Sequence, residues 1–119
     1  MSVEAFVSKL AATPGEISFS DTMALIDSHF DYVPSRFTNG AGDSQAVNEA
    51  GANEGSCKIF ALGKLLALNE SQTLNCFGDY YRIDVLQNPD GSDHANIRNF
   101  MVHGWDGITF DNTALKAKG

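Results

Sequence analysis

The stretch Cys57-Lys58-Ile59-Phe60-Ala61-Leu62-Gly63-Lys64-Leu65-Leu66-Ala67-Leu68-Asn69 decides the fold. Its only charges are Lys58 and Lys64. A helix drawn through it is apolar around most of its circumference, as a helix surrounded by other elements must be. The rest of the chain reads as material packed around this central helix.

Upstream, Val3, Phe6, Val7 and Leu10 fall at the i, i+3, i+4, i+7 spacing of one apolar face, which predicts a helix from Ser2 to Ala12 that Thr13-Pro14-Gly15 stops. Ser18 with Asp21 resembles a capping box, although Ser20 could equally be the cap. Met23, Ile26 and Phe30 supply the stripe of a second helix behind it. Tyr32-Val33-Pro34 ends that helix, because the residue before a proline avoids the helical region. Ser35 to Thr38 reads as an extended piece, and Asn39-Gly40 is a turn signal. The long polar connection from Ala41 to Glu54 reads equally as a floppy surface loop, with a short helix around Gln45 to Ala50, or as a binding loop or lid.

Downstream, Leu74, Phe77, Gly78, Tyr81 and Val85 follow helical spacing, while Tyr81, Ile83 and Val85 also alternate as a strand would; the helix is the preferred reading. Asn88-Pro89-Asp90-Gly91 is turn chemistry. Asp93 can cap a further helix whose Ile97, Phe100 and Met101 face inward, with Gly104 as its stop. Gly107 to Phe110 reads as a short strand that could pair with the extended piece near Phe37, and Asp111 as the cap of a last helical turn through Leu115. The fold expected is mainly α: a compact bundle of about five helices around a buried central helix, with room for a short two-stranded β element, as a single domain over residues 1–119.

Composition bounds the function classes. A chain of 119 residues buries about two-thirds of its unfolded surface in one core. With 43% hydrophobic and 19% charged residues, it fits neither a disordered nor a membrane-spanning class. No apolar run approaches the ~20 residues of a membrane helix, so no membrane insertion is expected. The first residues, with Glu4 and Lys9, do not form a secretory signal, and two cysteines, Cys57 and Cys76, suggest reduced thiols in a cytoplasmic protein. The net charge of -7 is concentrated in residues 1–56, where eight acids face only Lys9 and Arg36. That field repels a phosphate backbone, so nucleic acid is excluded as a partner.

Chemistry concentrates where the polar connection meets the central helix. If Ser56 caps that helix, Cys57 lies in its first turn, where free amides, the helix dipole and Lys58 all favour a thiolate. A base would have to come from His29, His94 or His103. The commoner role of such a cysteine is that of a small buried hydrophobe. Gly55-Ser56-Cys57-Lys58 could instead bind an anion, although it lacks the phosphate-loop pattern, and a plain Ser56 cap is commoner still. His94 and His103 are nine positions apart, which at ~100° per residue puts them on opposite sides of a helix, so no metal site is expected. Arg98 could pair with Glu54 and hold the loop against the last helix. Trp105 reads as a core anchor.

Several separated motifs in order carry a resemblance: Phe37-Thr38-Asn39-Gly40, Asn53-Glu54-Gly55-Ser56-Cys57-Lys58-Ile59-Phe60, Phe77-Gly78-Asp79-Tyr80-Tyr81-Arg82, Asp93-His94-Ala95-Asn96-Ile97-Arg98-Asn99-Phe100 and Gly104-Trp105. Together they span nearly the whole chain, which resembles the HopJ type III effector family. The resemblance implies a bacterial protein with an effector label, and it supplies no reaction, cofactor or catalytic set to carry over. Type III export uses a loosely structured N-terminal segment, and the amphipathic helix expected at Ser2 departs from that, which leaves a resident cytoplasmic role open.

The reading that results is a non-enzymatic binding or effector-like module with a polar site at the start of the central helix. Its ligand-binding candidates are Asn39, Asn53, Glu54, Ser56, Lys58 and Arg98, its partner is a protein or a small polar ligand, and no cofactor is expected. The alternative is a cysteine-dependent hydrolase or transferase using Cys57 with His94 or His103.

Overall fold

The computed structural model of the chain describes residues 1–118. In order along the chain it builds α1 (Val3–Ala12), α2 (Phe19–His29), β1 (Phe30–Tyr32), β2 (Phe37–Asn39), β3 (Ala46–Asn48), α3 (Glu54–Leu65), α4 (Glu70–Asn75), a π-helix (Tyr80–Val85), α5 (Ala95–His103), β4 (Ile108–Phe110) and β5 (Leu115–Ala117). Helix dominates, but two small antiparallel sheets make the fold mixed α/β.

α3 is the central helix. It buries Cys57, Ile59, Phe60, Ala61, Leu62 and Gly63, which leaves little of its circumference for solvent. Phe60 is the hub of the core: its ring lies 5.0 Å from that of Phe100, 5.5 Å from Phe77 and 5.9 Å from Phe37. Trp105 closes the cluster edge-on against Phe100 at 5.0 Å and donates its indole N–H to the Leu68 carbonyl at 3.1 Å, as a core anchor with a polar handle should. Gly63 makes this approach possible, since a Cβ there would sit 2.8 Å from the Trp105 ring and 2.7 Å from Thr73 Oγ1.

Local sequence sets the outer helices. Ser2 caps α1, accepting from the Ala5 N–H at 3.0 Å, and Phe6 and Leu10 are buried from its inner face. Ser18 and Asp21 complete the capping box of α2, and Asn69 with Gln72 completes another on α4. The expected helix across Leu74 to Val85 is broken. α4 ends at Asn75, Gly78 takes the left-handed conformation at φ 62°, and the chain resumes as a π-helix.

β2 and β4 pair as expected near Phe37, with Phe37 opposite Phe110 and Asn39 opposite Ile108. The sheet is larger than the expected two-stranded element. β3 pairs on the other edge of β2, with Phe37 opposite Asn48, so the helix expected around Gln45 to Ala50 is a strand instead. The end of the second helix and the last turn also need correction. α2 stops at His29, and Phe30–Tyr32 forms a strand that pairs with Leu115–Ala117. Asp111 therefore caps no helix; main-chain pairing between distant segments overrides the local cap signal. Met101, expected to face inward, is 44% exposed.

Strand alternation brings polar chemistry into the interior. On β2, Phe37 and Asn39 are both buried while Thr38 points away, so the period of two carries a polar amide into the core directly after an aromatic ring.

Candidate functional site

α3 and α5 begin in the same unusual way. Asn53, before α3, and His94, before α5, both hold φ 51° and ψ 50°, the left-handed conformation, and neither gives its helix a side-chain cap. Asparagine and histidine are among the residues that adopt this conformation most readily. Non-glycine backbone held there persists only where its surroundings fix it.

The caps expected from the sequence are corrected accordingly. Ser56 does not cap α3: the helix starts at Glu54, which makes Ser56 its third residue and puts Cys57 one position further in. Asp93 does not cap α5, because its carboxylate is taken by the Arg98 guanidinium at 2.7 Å. The N–H groups of Glu54, Gly55 and Ser56 and those of Ala95, Asn96 and Ile97 therefore have no hydrogen-bond partner among the described residues.

These two helix starts share a cleft of about 640 Å³. Gly55, Ser56, Ala95, Asn96 and Ile97 line it together with Asn48 and Asn53, and Phe19, Phe77, Tyr80 and His94 supply its aromatic surface. Phe19 meets Tyr80 edge-on at 5.1 Å, and Tyr80 lies 5.3 Å from the His94 ring. His94 is itself held by Asp84, Nε2 to Oδ2 at 3.0 Å. Gly55 lets Phe19 close over the start of α3, since a Cβ there would meet the ring tip at 2.9 Å.

A chain of side-chain amides joins the cleft to the core. Asn53 donates to Asn48 Oδ1 at 2.7 Å, Asn96 donates to the same oxygen at 2.9 Å, and Asn48 donates back to Asn96 Oδ1 at 3.1 Å. Asn39 donates to the Asn96 carbonyl at 2.8 Å, while its own Oδ1 is buried with no partner among the described residues. Behind it, Asn99 donates to the Asn39 and Ser44 carbonyls and fixes the strand connection.

Of the ligand-binding candidates, the structure brings Asn53 and Ser56 into the cleft and puts Asn39 one residue behind it through Asn96. Glu54 and Lys58 turn to the other flank of α3: Glu54 lies beside the Tyr32 hydroxyl, and the Lys58 ammonium sits over the Tyr32 ring at 4.8 Å. The expected Arg98–Glu54 pair is not formed. Arg98 binds Asp93 and the carbonyls of Asn88, Pro89 and Asp93, because the tight turn before α5 offers acceptors within reach of the guanidinium fork. Arg98 holds Asp93 below its ordinary carboxylate pKa.

Cys57 is 1% exposed and outside the cleft lining, with its thiol 3.7 Å from the Ser35 carbonyl. Burial raises its pKa, the reverse of what an activated nucleophile needs. Burial, then the neighbouring Cys57 and Glu54, also raises the pKa of the Tyr32 phenol. No histidine hydrogen-bonds Cys57 among the described residues: His29 is bound to the Met1 carbonyl, His94 to Asp84, and His103 ends α5 outside the cleft. Asn48, Asn96, Phe19 and Tyr80 were not singled out as site residues from the sequence. The one available signal was the recurrence of asparagine through residues 39–53 and 96–99.

No helix among the described residues is long and apolar enough to cross a membrane. The family model described as HopJ type III effector protein matches residues 3–115. A solved crystal structure, described as that of the unknown function protein VPA0580, is 51% identical, with a TM-score of 0.94, over 99% of this chain and 95% of that one. No curated protein matches the chain.

Proposed function

Starting from the fact that the chain belongs to the HopJ type III effector protein family, we propose that it is a single-domain, non-enzymatic binding module whose cleft between the starts of α3 and α5 takes a small polar ligand. The observation that carries this reading is the pair of uncapped helix starts, where Gly55, Ser56, Ala95, Asn96 and Ile97, all with unpartnered amides among the described residues, line one cleft. Aligned N–H groups at a helix start favour acceptor groups such as carboxylate or phosphate oxygens. The Ser56 hydroxyl has no partner among the described residues and adds a further donor, while Phe19, Tyr80 and His94 offer ring surface to an attached apolar or planar group.

The amide chain supports a binding role. Side-chain amides already hydrogen-bonded to one another hold Asn48, Asn53 and Asn96 in place before a ligand arrives, which lowers the ordering cost of binding. The alternative, a hydrolase or transferase using Cys57, has neither an accessible thiol nor a base beside it. Cytoplasmic residence forms part of the proposal: α1 buries Phe6 and Leu10 in the core, so passing this domain through a narrow export channel would require unpacking it.

The test is an amide NMR titration of the whole chain with inorganic phosphate, acetate and uncharged acetamide. We expect phosphate or acetate to move the Gly55, Ser56 and Ala95 resonances together, with acetamide far weaker. Shifts confined to one helix start, or scattered over unrelated residues, would overturn the proposal.

A further inference from the structure

A second pocket, sharing no lining residue with the cleft, lies between the second half of α3 and the segment that joins β4 to β5. It holds about 450 Å³, within the range of small-molecule sites. Ala61, Leu65, Phe110, Ala114 and Leu115 give it apolar walls. Two charged residues also line it, and they differ in what they meet. Asp111 is engaged by Arg36 at 3.6 Å. Lys64 has no ion pair and no hydrogen bond among the described residues, and its ammonium stands 5.9 Å from the centre of the Phe110 ring.

The main chain adds a donor. β5 pairs with β1 alone, so its other edge carries no strand. In an antiparallel ladder successive residues direct their N–H and C=O groups to alternate edges. The Ala114 carbonyl accepts from the Val33 N–H, and the Lys118 N–H donates to the His29 carbonyl. Those two bonds turn the even-numbered residues of this segment toward β1, and the Leu115 N–H therefore points to the open edge. It has no hydrogen-bond partner among the described residues, although Leu115 is only 2% exposed. A buried residue rarely leaves its N–H unpaired, and this one lines the same pocket as Lys64.

We propose that this pocket binds a small monocarboxylate with an apolar body, its carboxylate taken by Lys64 and the Leu115 N–H and its body packed against Ala61, Leu65 and Phe110. Sign selects the class: the one lining charge without a partner is positive, and the unpaired main-chain group is a donor. Charge number selects a monoanion, because one ammonium acts here against a chain whose net charge is -7. The apolar walls select the body, since an inorganic anion would leave them in contact with water.

The probe is phenylacetate, with uncharged phenylacetamide and body-less acetate as controls, titrated into the whole chain and followed by methyl and amide NMR. We expect phenylacetate to shift the Ala61, Leu65 and Ala114 methyls and the Leu115 N–H together, with both controls about tenfold or more weaker at these resonances. Lys64→Gln, at an exposed position that leaves the fold intact, should weaken phenylacetate by a similar factor, and Lys64→Arg should restore most of the binding. Failure of phenylacetate to move these resonances, equal binding of acid and amide, or full binding by Lys64→Gln would each overturn the proposal. The cleft is read separately in the same spectra: any response to acetate at Gly55 and Ala95 should be the same in Lys64→Gln as in the parent, so the two sites stand or fall independently.

Discussion

Asn48 and Asn96 are joined amide to amide: Asn96 donates to Asn48 Oδ1 at 2.9 Å and Asn48 donates back to Asn96 Oδ1 at 3.1 Å. One residue comes from an edge strand and the other from the first turn of α5, with Asn39 and Asn53 attached on either side. Both members of the pair are buried, so each relies on the other rather than on water. Replacing Asn96 by Ala removes a side-chain partner from both Asn39 and Asn48, and a buried amide left unsatisfied costs about 1–3 kcal/mol. Asn96→Ala should therefore lose about that much stability in urea denaturation. A double-mutant cycle with Asn48→Ala should show strong coupling, because the first substitution already removes much of what the second would.

Gly78 and Gly15 make a controlled pair. Gly78 holds φ 62°, and a Cβ on it would lie 2.5 Å from the Phe19 backbone nitrogen, at the start of α2 where the Ser18 capping box sits. Neither main chain can yield cheaply. The left-handed conformation alone costs an L-residue about 1–2 kcal/mol, so Gly78→Ala should destabilise by more than that. Gly15 has ordinary backbone and nothing within 4 Å of a new Cβ. Gly15→Ala should be neutral or gain up to about 1 kcal/mol through the unfolded state. Thermal melts of the two variants side by side check both expectations.

What the sequence revealed depended on the range of the forces involved. α1, α2 and α5 announce themselves by periodic apolar residues, α3 by an apolar circumference, and α2 also by the Ser18 capping box; α4 does not, since Leu74 is the one apolar residue of Glu70–Asn75. The pairing of β2 with β4 was legible from two short apolar runs around Phe37 and Phe110. β1 with β5 was not: three-residue strands show no usable period, and Leu115-Lys116-Ala117 becomes a strand only because Phe30–Tyr32 lies alongside it. In the site, the junction at Asn53 was visible as a change from polar to apolar sequence. The left-handed starts at Asn53 and His94 were not, because Ser56 and Asp93 stood nearby as plausible caps and only the folded contacts of Asn48 and Arg98 displace them.

Arg98 offers a test that separates cleft from turn. Its guanidinium holds the Asn88–Asp93 turn rather than Glu54. The carbonyls it satisfies lie close to solvent, where water can replace a lost donor, so Arg98→Ala should cost only about 1 kcal/mol. The Asp93 carboxyl, now held low chiefly by Arg98, should titrate at higher pH in the variant. Carboxyl-detected NMR titration reads that change. The phosphate-induced shifts at Gly55 and Ser56 should survive; their loss would make Arg98 part of the ligand site.

The thiols give the last prediction. Cys76 is fully buried, and burial pushes its pKa from 9.0 up to about 12, while burial also raises Cys57. The unfolded chain releases its Cys76 proton near pH 9.0, whereas the folded chain holds it until about pH 12. The unfolded state thus gains a stabilising ionisation that the native state lacks, and stability falls across that window while remaining complete below it. Lysines and tyrosines titrate there too, so the informative quantity is the difference in slope: Cys76→Ala should lose stability less steeply than the parent as pH rises from about 9. At neutral pH neither thiol of the native protein should react with iodoacetamide faster than the chain opens. Rapid native-state alkylation of Cys57 would mean that it is exposed as a thiolate, and the case against a cysteine-dependent reaction would fail.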